Sequence, residues 1–336
     1  MSSEHDPEPR SERSQVRVLE IAADDEGQRV DNFLLRELKS VPRSRVYRIL
    51  RRGEVRVNGK RVKPEYRLAT GDRLRVPPVR IDAAPPARKV AGSVIETVRN
   101  AIVHEDRELL VVNKPAGLAV HGGSGVDFGV IEALRADRPE ESLELVHRLD
   151  RETSGLLLVA RRRSSLRALH TLMREGRVEK RYLALLAGQW AHGKATIDVP
   201  LKTRQLQGGE RIVRAQAGGK DAVSQFAPVE FYGKRATLVE VDIETGRTHQ
   251  IRVHALHAGH PVAGDEKYGD RAFNQEMREL GLHRMFLHAT AVSFTWPETE
   301  REFNLSVPLD DELKVVLDRL ATARPGPRGA ARRRAR

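Results

Sequence analysis

The chain has 336 residues, 39% hydrophobic and 32% charged, enough for two domains and at least one sizeable core in a soluble globular protein. It contains no cysteine, no apolar stretch of bilayer-spanning length and no apolar signal core in "MSSEHDPEPRSERSQ". These features exclude disulfides, thiolate metal sites and cysteine nucleophiles, and they point to a cytoplasmic protein without membrane contact. Lys and Arg number 59 against 47 Asp and Glu, and the resulting +12 favours a polyanionic partner whose phosphates release counterions on binding.

Residues 1–14 are polar and aperiodic and read as a disordered tail. A compact unit is expected over 15–78. Val30, Phe33, Leu34 and Leu38 follow helical spacing, with Asp31 and Asn32 suited to the helix start. "SRVYRILRRG" predicts a second helix that stops at Gly53 and leaves Arg43, Arg45, Arg48, Arg51 and Arg52 for its exposed side. "EVRVNGKRV" predicts two short strands around an Asn58-Gly59 turn, and "LATGDRLRVP" a further turn and strand. Arginines on a helix are often only solvated. Five on one element exceed what folding requires and point to RNA or DNA.

"PPVRIDAAPPARKVAGS" is rich in proline and reads as a linker over 79–93. From 94 to 320 strand-like and helix-like segments alternate. "LLVVNK" and "GLLLVA" read as buried strands and "SLRALHTLMREG" as a helix ended by Gly176, while "RYLALLAG" and "ATLVEVDIE" read as strands. The mixed order predicts an α+β sheet. Neither a GxGxxG after a strand nor a P-loop occurs, so no nucleotide cofactor is expected. Residues 321–336 carry a basic tail suited to nonspecific phosphate contact.

Four segments carry candidate chemistry. In "ELVHRLDRETSGLLLVA", His147, Arg148, Asp150, Arg151 and Glu152 crowd against an apolar run. Positive charge beside Asp150 favours its ionised form, although a structural ion pair would look the same. In "ETGRTHQIRVHALHAGHPVAGDEKYG", Arg247 and Arg252 are placed to aim guanidinium groups at an anion or at Asp150. His254 and His257 are three apart, but no nearby cysteine completes a site and no HExxH occurs, so no metal is expected. "LLVVNKPAGLAVHGG" leads from a strand through Lys114 into a glycine-rich loop, and "EKRYLALL" places Lys180 and Tyr182 at a strand start. Tyr182 there can stack on a base or fill core; alternation does not choose.

"RVDNFLLREL…SRVYRILRRGEVRVNGKRVKPEYRLATGDRLRVP" resembles the αL-type RNA-binding domain first described in a small-subunit ribosomal protein. "NKPAGLAVHGG", "HRLDRETSGLLLVA", "EKRYLALL" and "TGRTHQIRVH", in that order, resemble the motifs of the RluA-type pseudouridine synthases, and the N-terminal unit is similar to that of the RluC-type branch. The resemblance implies a pseudouridine synthase fold, a mixed and largely antiparallel sheet with flanking helices. It implies site-specific isomerisation of uridine to pseudouridine in large-subunit ribosomal RNA, by an essential aspartate and without a cofactor. Asp150 matches that aspartate, acting at C1′ or C2′ of the ribose. Arg252 is its expected partner with Arg247 second, and Tyr182 the residue that stacks on the flipped uracil. Arg148, Lys114, His147, Arg247 and His249 are carried as RNA-binding, with the five helix arginines.

Nothing in the sequence implies an obligate interface, so a monomer bound to ribosomal RNA or an assembling subunit is expected. Action on transfer RNA or small-subunit RNA is an alternative, as is a noncatalytic assembly factor, which would not need Asp150, Tyr182 and Arg252 together. A glycoside hydrolase would leave the N-terminal unit unexplained. A cysteine-dependent uridine methyltransferase is excluded by composition.

Overall fold

The computed structural model describes residues 16–38, 41–79, 90–123, 126–205 and 211–322. The chain divides into two compact units, Met1–Lys89 and Val90–Arg336.

The first unit runs β1 (Arg17–Glu20), a 3-10 turn (Ala23–Asp25), α1 (Val30–Glu37), α2 (Arg43–Arg52), β2 (Arg56–Val57), β3 (Lys60–Arg61) and β4 (Arg73–Val76). Its four strands pair antiparallel in the order β1-β4-β2-β3. Val30, Phe33 and Leu34 of α1 and Val46, Ile49 and Leu50 of α2 pack with Val57, Leu74 and Val76 in one core. Gly53 takes the left-handed conformation that ends α2 (φ 69°), and Asn58 and Gly59 both have the positive φ that a tight hairpin turn demands. Asp31 stands in the first turn of α1, as expected of a residue suited to the helix start; it is buried there, and its carboxylate accepts from Arg29 at 3.1 and 2.7 Å and from the Tyr47 hydroxyl at 3.0 Å, joining the two helices. With the apolar face of α2 used in the core, Arg48, Arg51 and Arg52 are exposed and Arg45 is half-buried. Arg43 opens the helix; its side chain lies outside the described residues.

The second unit begins with α3 (Gly92–Asn100), β5 (Ile102–Glu105), β6 (Leu109–Lys114), α4 (Val130–Asp137), β7 (Glu144–Leu145), β8 (Ser154–Ala160) and α5 (Arg163–Arg174). It continues through β9 (Glu179–Ala187), β10 (Ala195–Asp198), β11 (Leu201–Gln205), β12 (Arg211–Ala215), β13 (Val223–Tyr232), β14 (Ala236–Ile243) and α6 (Gln250–His257). It closes with α7 (Arg271–Glu279), β15 (Leu287–Thr295), β16 (Glu302–Ser306) and α8 (Asp311–Thr322). The main sheet follows the order β10-β13-β14-β9-β15-β8-β6-β5, with β16 beside β15 and β7 beside β8. Every pairing is antiparallel except β8 with β15, so the sheet is mixed, as the resemblance implied.

Strand β8, the "GLLLVA" run, is buried along its whole length because helices cover both faces of the sheet. Leu157 and Val159 pack with Val130, Ile131 and Leu134 of α4, whereas Leu156, Leu158 and Ala160 pack with Leu169 and Leu172 of α5. This double cover explains a continuous apolar run without alternation. Gly155 sits where β8 meets its parallel neighbour. Its φ is 107°, and a Cβ there would lie 2.2 Å from the Ala289 carbonyl oxygen, so only glycine fits.

Two expected boundaries move by two residues. Gly92 and Ser93, read as linker, already belong to α3, and Ala321 and Thr322, read as tail, close α8. The expected tail over 1–14, and all but those ends of the linker and basic tail apart from residues 79 and 90–91, lie outside the described residues.

Candidate active site

The segment His147–Thr153 joins β7 to β8, and the fully buried strand behind it holds it in place. A second clamp comes from Lys114, at the end of β6 opposite Gly155. Its ammonium donates to the carbonyls of Pro115 (2.8 Å), Leu118 (2.9 Å) and Arg151 (3.0 Å), one acceptor for each proton. The Gly117 amide donates to the Arg151 carbonyl and Arg151 Nε to the Gly117 carbonyl, both at 2.9 Å. Lys114 is 0% exposed, so it is not the RNA or phosphate ligand expected from its glycine-rich surroundings. Burial pulls its pKa down to about 7, and the three carbonyls hold the charged form against that pull. Lys114→Met should lower unfolding free energy by about 3 kcal/mol, because three part-buried carbonyls lose their shared donor. Denaturant titration measures this, and RNA affinity of the folded fraction should stay unchanged.

The loop Glu244–His249 and α6 form the facing wall. Gln250 stitches this loop down: its carbonyl oxygen accepts from Thr245 Oγ1 (2.7 Å) and the Arg247 amide (3.0 Å), and its amide nitrogen donates to the Val223 carbonyl and Ser224 Oγ, both at 2.9 Å. Helix α6 then directs Arg252 inward. Arg252 Nη1 donates to Asp150 Oδ2 at 3.2 Å, while Nε and Nη2 grip Asp265 bidentately at 2.7 and 2.9 Å. Its guanidinium also lies over the Tyr268 ring, 4.9 Å from the centroid.

Asp265 is the residue that sequence reasoning left without a role. It is 1% exposed, and besides Arg252 it accepts from the Lys267 and Tyr268 amides at 2.9 and 3.0 Å. Burial alone would raise its pKa, but the Arg252 guanidinium and the two amides hold it below the ordinary carboxylate value. Arg252 is thus fixed by one carboxylate and shares its remaining nitrogen with the other. Arg247, second choice as partner for Asp150, instead stays exposed at the rim with Nε on the Asp221 carbonyl at 2.9 Å.

His249 precedes α6 in the left-handed conformation (φ 55°), which turns its ring towards the same carboxylate; Nε2 lies 3.9 Å from Asp150 Oδ2. Its Nδ1 meets the Tyr268 hydroxyl at 2.8 Å, and that hydroxyl accepts from the Val213 amide of β12 at 3.0 Å. Burial, with Arg252 and Lys267 adding to it, lowers the His249 pKa well below that of a free imidazole despite Asp150. His147 Nε2 accepts from the Leu158 amide at 3.1 Å, and burial takes its pKa to about 4, Lys180 adding to the shift. His254 is structural: its nitrogens meet Ser224 Oγ and the Val199 carbonyl, both at 3.0 Å. Among the described residues no three side chains of metal-binding type gather.

A cavity of about 230 Å³ lies between these walls. Asp150, Arg252, His249, His147 and Arg148 line it together with apolar Leu149, Met173, Ile243, Ile251 and Leu287. Tyr182 of β9, 6% exposed, contributes an aromatic surface, and burial and the Asp150 charge both raise its pKa, keeping the phenol neutral. Arg148 is exposed at the mouth. A carboxylate fixed by an arginine, beside an aromatic ring in an apolar slot, suits one flat polar ring with its sugar held against the acid.

The family model for RNA pseudouridylate synthase matches residues 108–257, and that for the S4 domain matches residues 28–74. "Ribosomal large subunit pseudouridine synthase C" from Escherichia coli O157:H7 is 52% identical over 324 residues, 94% of this chain and 100% of that protein. The protein of the same name from Pasteurella multocida is 52% identical over 309 residues, 91% of this chain and 94% of its own. Among solved structures, human RNA pseudouridylate synthase domain containing 4 matches with a TM-score of 0.55 and 27% identity, over 68% of this chain and 95% of its own. Human RNA pseudouridylate synthase domain containing 1 matches with a TM-score of 0.52 and 29% identity, over 62% of this chain and 82% of its own.

Proposed function

Since the chain belongs to the RNA pseudouridylate synthase family, we propose that it isomerises particular uridines to pseudouridine in large-subunit ribosomal RNA, acting as a monomer in the cytoplasm. The observation that carries this reading is the pairing of Asp150 with Arg252 at 3.2 Å inside a cavity whose wall is Tyr182. The reaction breaks the N1–C1′ bond, turns the uracil and joins C5 to C1′, with no net gain of atoms or electrons. The target nucleotide leaves its helix and its base enters the slot against Tyr182. Asp150 then faces the ribose, as nucleophile at C1′ or base at C2′, and either role requires a carboxylate held in place. Arg252, itself fixed by Asp265, supplies that hold. Arg148 and Arg247 at the mouth and the arginines of α2 take phosphates of the surrounding RNA.

Support for the substrate comes from the relatives named for the large ribosomal subunit and from an S4 domain bearing exposed arginines. Pseudouridine mapping of total ribosomal RNA from cells with and without the protein tests it. Specific large-subunit sites should lose the modification when the protein is absent. An unchanged large-subunit map with lost sites in transfer RNA or small-subunit RNA would overturn the substrate assignment.

A further inference from the structure

Lys180 enters the cavity wall without a counter-ion. It lies on β9 two residues before Tyr182, so both side chains leave the same face of the strand. It is half-buried, and among the described residues no carboxylate pairs with it and no hydrogen-bond acceptor engages it. The nearby charges are used elsewhere: Glu179 accepts from Ser293, Arg181 meets Glu240 and Asp242, and Asp150 is taken by Arg252. Met173, His147 and Tyr182 line the same cavity. His147 offers no counter-charge: its imidazole is neutral, because burial, with Lys180 adding to it, disfavours the cation. An ammonium drawn partly out of water without a partner is costly, and such a group is retained where a ligand completes it.

On the reading proposed above, the ligand is the flipped nucleotide. Its phosphates are strongly hydrated and are met at the mouth by the exposed Arg148 and Arg247. The part that enters an apolar slot beside Tyr182 is the base. We propose that Lys180 is a catalytic residue that donates a hydrogen bond to a carbonyl oxygen of the uracil and stabilises the anion formed when the glycosidic bond opens. When N1–C1′ breaks, the bonding pair stays on the uracil and spreads over N1 and the two carbonyl oxygens. The ammonium carries no proton across; it opposes that charge until C5 has bonded to C1′, the C5 proton has left and N1 has gained one. Asp150 thus serves the ribose end of the breaking bond and Lys180 the base end. A fixed cation aimed at charge present only in the transition state accelerates the step without tightening ground-state binding.

The test is single-turnover tritium release from large-subunit RNA carrying 5-tritiated uridine, at saturating full-length protein, with RNA affinity measured in parallel across salt concentrations. Lys180→Met should slow release about 100-fold, the usual effect of removing one such donor, while affinity and its salt dependence stay the same. Lys180→Arg, which keeps a cation, should recover about ten-fold of that loss. Lys180→Met removes an unpaired charge at little change in volume, so its melting temperature should not fall; Lys180→Gln replaces it if it does not fold. A defect that disappears at saturating protein, with a shallower salt dependence of binding, would mark a phosphate contact and overturn the proposal. Unchanged release and unchanged binding would overturn it as well, reducing Lys180 to wall. Absence of release from the wild-type protein would instead strike the pseudouridine reading beneath it.

Discussion

Asp150→Asn is expected to eliminate pseudouridine formation, by about 10⁴-fold or more, with RNA affinity retained; losses of this size follow when the central group of a catalytic unit is removed. The change is nearly isosteric. The asparagine can still accept from Arg252 Nη1, and Arg252 keeps both bonds to Asp265, so the cavity walls survive. What disappears is the negative charge and the second carboxylate oxygen facing the ribose. Asp150 is not among the side chains proposed to take phosphate, so binding should not change. Tritium release and a filter-binding titration on the same RNA separate the two effects. Turnover at a tenth of the wild-type rate would remove Asp150 from the centre of the mechanism.

Asp265→Asn is expected to be the next most damaging change, although this side chain has no access to RNA. Its carboxylate accepts four donors: Arg252 Nε and Nη2 and the amides of Lys267 and Tyr268. An amide turns one of its two oxygens into a donor, so an N–H must oppose an N–H and Arg252 loses its closer counter-charge. Breaking a buried pair in this way costs about 3–5 kcal/mol of stability. A displacement of Arg252 by about 1 Å should lower kcat about 100-fold with little change in KM. A purely structural role would leave the effect independent of Arg252. The expectation is the reverse: in an Arg252→Leu background, Asp265→Asn should cause little further loss of kcat, a strong non-additivity.

The acid response gives a second readout. Asp265 is held below its ordinary value of 3.8, so its ion pair contributes stability that is complete above that pH and is lost as pH falls through its folded value. The wild-type protein should therefore lose stability in that acid range more steeply than Asp265→Asn, as urea unfolding at stepped pH would measure.

Much of this site can be read from the chain because its parts are local. Asp150 sits directly before "SGLLLVA", and a strand with no polar alternation announces itself as buried on both faces. Gln250, which anchors the Arg247 loop, lies within three to five residues of the groups it binds on that loop. Asp265 escaped because its function is tertiary. It lies 13 residues beyond Arg252, across the end of α6 and a turn, and a lone acid in "AGDEKYG" carries no periodic signal. Tyr268 escaped for the same reason, since its partners Val213 and His249 come from a separate hairpin and from the start of α6.

Lys114 was misread because lysine is almost never fully buried, so a lysine before a glycine-rich loop suggests phosphate. The contrary sign was present in "LLVVNK". A strand covered on both faces sends its last residue inward as readily as its first, and the loop beyond it has carbonyls that need a donor. The hairpin β11–β12, polar and lacking a strong pattern, gave no comparable signal.

Isomerisation of uridine in large-subunit RNA is decided by incubating the purified protein with that RNA, labelled with tritium at C5 of uridine, and analysing both the released label and the digested nucleosides. One tritium should be released to water for each pseudouridine found, with no free uracil. Free uracil would mean that the glycosidic bond is hydrolysed rather than rearranged, and an RNA that keeps all its tritium would mean that no C5 chemistry takes place in this cavity.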